Sequence, residues 1–137
     1  MTDQNKAINI LQEIERAKDC LKSADILAQN DQLTDAVSRL YYYVYHTIRA
    51  LLLTKGLEPK THEGMLRLLG IHFIKPGTLP TNISHIFARM MKYREEADYN
   101  ALYMVSKADY TDFRNDALLL HDAIYGYITN DGRTFLN

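Results

Sequence analysis

Residues 38–53 read Ser-Arg-Leu-Tyr-Tyr-Tyr-Val-Tyr-His-Thr-Ile-Arg-Ala-Leu-Leu-Leu, and this run carries the strongest helical signal in the chain. At 100° per residue, its apolar side chains gather on one broad side of a helix. That side is formed by Val37, Leu40, Tyr41, Val44, Ile48, Leu51 and Leu52. The other side holds Arg39, Tyr42, Tyr43, His46 and Arg49. Because a core-facing helix needs only the first side, the second side predicts a partner surface, a ligand surface or both.

The remaining sequence predicts further helices around this one. Only six glycines and three prolines interrupt 137 residues, which favours long helices over strands and turns. Apolar periodicity predicts helices over residues 3–29, 32–55 and 80–100, a short helix after Thr61, and a last helix after Ser106. We therefore expect an all-α protein, an antiparallel up-and-down bundle of four long helices and one short helix. A single domain is expected over residues 1–129, followed by a flexible tail over residues 130–137.

Two helix ends have specific local signals. Gly56 is well placed to cap the C-terminus of the second helix, because glycine readily adopts a left-handed conformation. Ser106, with Asp109 three residues later, resembles the capping box that begins a helix. Both patterns agree with the helix boundaries that periodicity predicts.

Composition limits the class of protein. Cys20 is the only cysteine, which excludes an internal disulfide, and no apolar stretch approaches the roughly 20 residues of a membrane span. The N-terminus lacks the basic and then apolar pattern of a signal peptide. We expect a soluble cytoplasmic protein that does not bind membranes.

Charge is distributed unevenly along the chain. The net charge is −1, but residues 38–76 carry six basic and two acidic side chains, together with three histidines. This segment either binds phosphate or RNA locally or reflects chance clustering of solvated lysines. Neither the spacing of the histidines nor the single cysteine predicts a metal site, and scattered glycines predict no phosphate loop. We expect no metal and no cofactor.

Two groups of cationic residues are candidates for a site. His46 and Arg49 share one helical face, with Arg39 about two turns earlier. These residues either bind a phosphate, or take part in acid–base chemistry, or form part of a dimer interface. The neighbouring Tyr42 favours the dimer interface. Arg94 follows the inward apolar stripe of the fourth helix, where a guanidinium must be paired or must face a cleft. Asp98, one turn later, is its natural partner. The pair is either a buried structural ion pair or a cleft cation oriented by Asp98.

Three segments together resemble the HEPN domain family, in its small stand-alone prokaryotic branch. They are AVSRLYYYVYHTIRALL at residues 36–52, PKTHEG at residues 59–64 and YREEADY at residues 93–99. Their order and spacing match, and the resemblance covers nearly the whole chain. It implies a helical bundle that dimerises and works beside a minimal nucleotidyltransferase, often as the toxin of a toxin–antitoxin pair. Active members of the wider family are metal-independent ribonucleases.

The family motif is an arginine followed after four to six residues by a histidine, with both sites meeting in the dimer cleft. The histidine moves protons for attack by the 2′-hydroxyl, and the arginine stabilises charge on the phosphate. Arg94 matches the arginine, but Tyr99, Asn100 and Ala101 occupy the histidine positions. If the chain cleaves RNA, a histidine of the basic central segment, His46 or His62, should move the protons.

These arguments give a defined set of candidate residues. The catalytic candidates are Arg94, Asp98, Tyr99 and His46, and the binding candidates are Arg39, Tyr42, Arg49, Lys60 and His62. The expected function is the toxin-like component of a HEPN/nucleotidyltransferase toxin–antitoxin module that acts on RNA or nucleotides, as a metal-independent ribonuclease. The alternative is a non-catalytic module that binds a nucleotide or docks onto a partner. The expected partners are a second copy of the chain, a nucleotidyltransferase-type protein, and RNA or a nucleotide.

Overall fold

The computed structural model describes residues 2–130, which form five α-helices and no strand. Helix α1 spans Asp3–Gln29, α2 spans Leu33–Leu53, α3 spans His62–Leu69, α4 spans Thr81–Tyr99 and α5 spans Lys107–Thr129. A π-helical turn, Gly70–Ile74, follows α3 directly. The predicted all-α bundle of four long helices and one short helix is thereby confirmed. Of the predicted tail, residues 131–137 lie outside the described residues.

Helix α2 lies at the centre of the bundle, with α1, α4 and α5 all packed against it. Every residue of its predicted apolar side is fully buried. Helices α1 and α2 run antiparallel, because Lys6 contacts Thr54 and Glu13 contacts Arg49. Helices α1 and α5 also run antiparallel, because Asp25 contacts Arg114 and Asp31, just after α1, contacts Lys107. Among residues 2–130, no helix is both long and apolar enough to cross a membrane.

The prediction that the second side of α2 faces outward is wrong at Tyr43, which is only 2% exposed. Helix α5 covers this side, and the Tyr43 ring stacks on His121 with 5.1 Å between ring centroids. Thr47, Ala50 and Leu53 are buried as well. A helix at the centre of a bundle is covered by several neighbours, so its polar-looking side also becomes core.

The capping predictions are confirmed by hydrogen bonds. Gly56 has a φ of +69°; its N–H donates to the Leu53 carbonyl at 2.9 Å, and the Leu57 N–H donates to the Leu52 carbonyl at 3.0 Å. This is a Schellman arrangement with glycine in the left-handed position. At α5, the Asp109 N–H donates to Ser106 Oγ at 3.0 Å, and the Ser106 N–H donates back to the Asp109 carboxylate. These ends fix where α2 stops and α5 begins.

Candidate functional site

Arg94 lies on the inner side of α4, and its side chain is only 16% exposed. Its guanidinium lies over the ring of Tyr41 from α2, 5.2 Å from the centroid, and Nη1 donates a hydrogen bond to Asp98 at 3.3 Å. Asp98 also accepts a hydrogen bond from the Ser38 hydroxyl on α2. The predicted Arg94–Asp98 pair is therefore present, and it also joins α4 to α2.

The guanidinium of Arg94 has spare hydrogen-bonding capacity. Its Nε is buried and has no hydrogen-bond partner among the described residues. Burial acts to lower the pKa of Arg94, but Tyr42, Tyr41 and Asp98 outweigh it, so that the pKa is raised overall. The group thus stays positively charged while one of its donors lacks an acceptor, which is costly in a folded protein unless a ligand or a rearrangement supplies one.

His62 is the first residue of α3, and Thr61 caps this helix by accepting a hydrogen bond from the Gly64 N–H at 2.9 Å. The ring of His62 stacks on Tyr41 at 5.5 Å between centroids, and Nδ1 is hydrogen-bonded to the Tyr41 hydroxyl. Burial, and then the charge of Arg94, lowers the pKa of His62. His62 is therefore mainly neutral at neutral pH, the form in which an imidazole accepts a proton.

Tyr41 connects the two groups. It is fully buried, and burial raises the pKa of its phenol, so the hydroxyl keeps its proton. Arg94 from α4 and His62 from α3 both contact it, although they are far apart in sequence. We call Arg94, Asp98, Tyr41 and His62 the Arg94–His62 cluster.

Further aromatic rings extend this cluster along α2. The ring of Tyr45 lies 5.1 Å from His62 and 5.5 Å from Tyr42 between centroids. Arg39 lies over the Tyr42 ring at 5.2 Å, and Arg49 lies over the Tyr45 ring at 5.9 Å. Half-buried tyrosines beside guanidinium groups are suited to stacking against nucleic-acid bases.

The sequence led us to expect His46 and Arg49 on a free outer face of α2, but the structure places both against α1. Glu13 of α1 holds both of them: His46 Nδ1 lies 2.7 Å from Glu13 Oε2, and Arg49 Nε donates to Oε1 at 3.3 Å. Burial acts to raise the pKa of Glu13, but the hydrogen bond from His46 and the charges of both partners lower it overall. This ion-pair group joins α1 to α2, so its clearest role is structural.

The two other candidates are exposed. Tyr99 is 79% exposed at the last residue of α4, where it still interacts with Arg94, and Lys60 is exposed in the loop that precedes α3. The remaining candidates lie in or beside the cluster; they are Arg39, Tyr42, His62, Arg94 and Asp98. Sequence reasoning missed the roles of Tyr41, Ser38 and Glu13, since each depends on contacts between helices. The described residues contain no group of three or more His, Cys, Asp or Glu side chains that could hold a metal ion.

Comparisons with known proteins agree with this architecture. The family model for the HEPN domain matches residues 11–125. A UPF0332 protein of Thermotoga maritima is 34% identical over 109 residues, which are 80% of this chain and 83% of that protein. A Methanocaldococcus jannaschii protein named "Putative toxin MJ0605" is 40% identical over 86 residues, which are 63% of this chain and 64% of that protein. A second protein of that organism, named "Putative toxin MJ0142", is 34% identical over 96 residues, 70% of this chain and 65% of that protein. The chain thus spans slightly less than two thirds of each of these two relatives.

Proposed function

The chain belongs to the HEPN domain family, and from that premise we propose that it is the toxin-like component of a HEPN/nucleotidyltransferase toxin–antitoxin module that cleaves RNA without a metal ion. The relatives named as toxins support the toxin-like role. The nucleotidyltransferase partner rests on the family resemblance.

The observation that carries the ribonuclease proposal is the meeting of Arg94 and His62 on Tyr41. The family places a histidine shortly after its arginine, whereas this chain has Tyr99 at the first such position. His62 supplies an imidazole from a different helix, close enough to Arg94 for that charge to lower its pKa. These contacts support the proposal that His62 acts as the histidine partner of Arg94.

The properties of the two groups suit cleavage by internal transfer. In the tautomer whose Nδ1–H donates to the Tyr41 oxygen, Nε2 of neutral His62 removes the proton from a 2′-hydroxyl, whose oxygen then attacks the neighbouring phosphorus. Arg94 stabilises the additional negative charge on the phosphate, with Asp98 holding the guanidinium in place. The bond from phosphorus to the 5′-oxygen breaks, and the imidazolium returns its proton to that oxygen. The products are a 2′,3′-cyclic phosphate and a free 5′-hydroxyl.

Association with a second copy of the chain is part of the proposal. Three large apolar side chains follow Arg94 closely in sequence and are largely exposed: Tyr99 at 79%, Leu102 at 88% and Met104 at 86%. Clustered exposed apolar residues are typical of association surfaces. Their position after α4 supports a dimer in which two Arg94–His62 clusters approach each other.

The test is incubation of the purified chain with single-stranded RNA in the presence of a chelator. We expect cleavage by the unmodified chain and a loss of roughly 10²-fold or more in Arg94→Gln and in His62→Asn. Matched controls on α4 are Arg89→Gln, whose side chain is half-exposed and paired with Asp116, and His85→Asn, which is exposed. Cleavage that survives both cluster variants would show that the chemistry lies elsewhere.

A non-catalytic role as a nucleotide-binding or docking module is the second candidate. The observation that favours it is the replacement of the family histidine positions by Tyr99, Asn100 and Ala101. It predicts no cleavage by the unmodified chain, together with a rise in melting temperature when mononucleotides bind the folded state. The two candidates therefore give opposite results in the same preparation of protein.

A further inference from the structure

A cleft between α1 and α5 lies on the side of α2 that faces away from Tyr41. A role for this cleft is independent of the function proposed above. Its volume is about 410 Å³, within the usual range of small-molecule sites. Its main lining residues are Lys18, Leu21, Lys22 and Ile26 of α1, Tyr43 of α2 and His121 of α5. The α1 residues recur at helical spacing, so they form one continuous wall.

The floor of this cleft is aromatic. The Tyr43 ring stacks on His121, which in turn stacks on Tyr125 with 5.7 Å between centroids. Leu21 and Ile26 provide apolar walls, and Ile26 is exposed although it is a large apolar residue. A flat, apolar ligand would therefore bury apolar surface that is now exposed to water.

The hydroxyl of Tyr43 belongs to the polar part of this floor. Tyr43 lines the cleft although only 2% of the residue is exposed. Burial raises the pKa of Tyr43, so the hydroxyl keeps its proton and remains a donor. A protonated phenol that lines a cleft can donate a hydrogen bond to an acceptor on a bound molecule.

Two lysines stand at the rim of the cleft. Lys18 is only loosely paired with Glu15, at 3.5 Å between exposed side chains, and Lys22 is exposed. The nearby carboxylate of Asp25 is already engaged: Arg114 donates to both of its oxygens at 2.8 and 2.9 Å, and Tyr110 donates at 3.1 Å. Asp25 also lines the cleft but is paired with Arg114, so Lys18 and Lys22 are the cationic groups that an anionic ligand could approach.

We propose that the cleft binds a small aromatic molecule that carries an anionic group, with its ring against Tyr43 and the apolar wall and its anion near Lys18 and Lys22. Aromatic carboxylates and nucleoside monophosphates share this chemistry. Two probes separate them: indole-3-acetate represents the first class and adenosine monophosphate the second.

The experiment is an NMR titration of the isotope-labelled chain with each probe up to millimolar concentration. We expect saturable shifts at the amides of Leu21, Lys22, Tyr43 and His121 with at least one probe. Lys22→Glu reverses a rim charge and should weaken binding about tenfold, as should replacement of indole-3-acetate by the neutral indole-3-acetamide. The control Lys92→Glu changes an exposed lysine on α4 and should leave the affinity unchanged.

A second variant tests the hydroxyl directly. Tyr43→Phe keeps the ring and the packing but removes the donor, so it should weaken binding several-fold while the spectrum stays that of the folded chain. Saturation by indole-3-acetate alone assigns the cleft to aromatic acids, and tighter binding of adenosine monophosphate assigns it to nucleotides. The proposal is overturned if neither probe binds, if the shifts map to other residues, or if Lys22→Glu binds as tightly as the unmodified chain.

Discussion

At the scale of single residues, the state of His62 determines what the Arg94–His62 cluster can do. An NMR pH titration of its ring should give a pKa below the usual value of about 6.5, because the ring is partly buried and then because Arg94 is positively charged. Arg94→Gln removes that charge, so the pKa of His62 should rise while remaining below the usual value. Arg89→Gln, on the same helix but paired with Asp116 of α5, is the control and should leave the titration unchanged.

The same shift has a consequence for stability. Because the folded state lowers the pKa of His62, the folded protein binds this proton less well than the unfolded chain. The contribution of His62 to the free energy of unfolding is therefore fully present above about pH 6.5 and is lost as the pH falls through the lowered pKa. The loss should be smaller in Arg94→Gln. Identical pH profiles of unfolding and identical titrations in the two proteins would contradict the assigned contact between Arg94 and His62.

At the scale of helices, two glycines that look alike in sequence have opposite roles. Gly56 ends α2 with a φ of +69°, whereas Gly70 continues the turn after α3 with a φ of −60°. No atom lies within 4 Å of a Cβ added at either position, so alanine tests backbone conformation alone. Gly56→Ala should lower the free energy of unfolding by about 1–2 kcal/mol, and Gly70→Ala should raise it by about 0.5–1 kcal/mol. Urea denaturation measures both, and effects of the same sign would refute the assigned roles.

Helix ends and short-range pairs could be predicted because their causes lie within a few residues. The cap at Gly56 and the Ser106–Asp109 capping box depend only on residues nearby in the sequence. The Arg94–Asp98 pair depends only on the spacing of one helical turn. By contrast, the contact of His62 with Tyr41 joins residues 21 apart, and Glu13 meets His46 from a different helix.

Amphipathic periodicity shows which side of a helix is most apolar, but it does not show how many neighbours pack around that helix. For this reason the burial of Tyr43 was missed. The contact of Arg94 with Asp98 was predicted from the sequence, whereas the sequence could not show which histidine lies near Arg94; in the structure His62 does.

At the scale of the whole molecule, α2 divides the protein into two chemical sides. Tyr41 and Tyr43 are two residues apart, so their side chains point about 200° away from each other around the helix. Tyr41 faces Arg94 and His62, while Tyr43 lies under the cleft between α1 and α5. One central helix thus presents the Arg94–His62 cluster on one side and an aromatic cleft beside Lys18 and Lys22 on the other.

This arrangement predicts that the two sides act independently, because no described contact joins Lys22 or His121 to the Arg94–His62 cluster. Lys22→Glu should leave the pKa of His62 and the rate of RNA cleavage unchanged, and Arg94→Gln should leave the affinity for indole-3-acetate unchanged. The double variant should show the cleavage loss of Arg94→Gln and the affinity loss of Lys22→Glu, each as large as in the single variant, as expected for distant sites that share no partner. NMR titration and the cleavage assay on the same four proteins provide the measurement. If either single variant altered both readouts, then α2 would transmit changes from one side to the other, and occupation of the cleft would control the cluster.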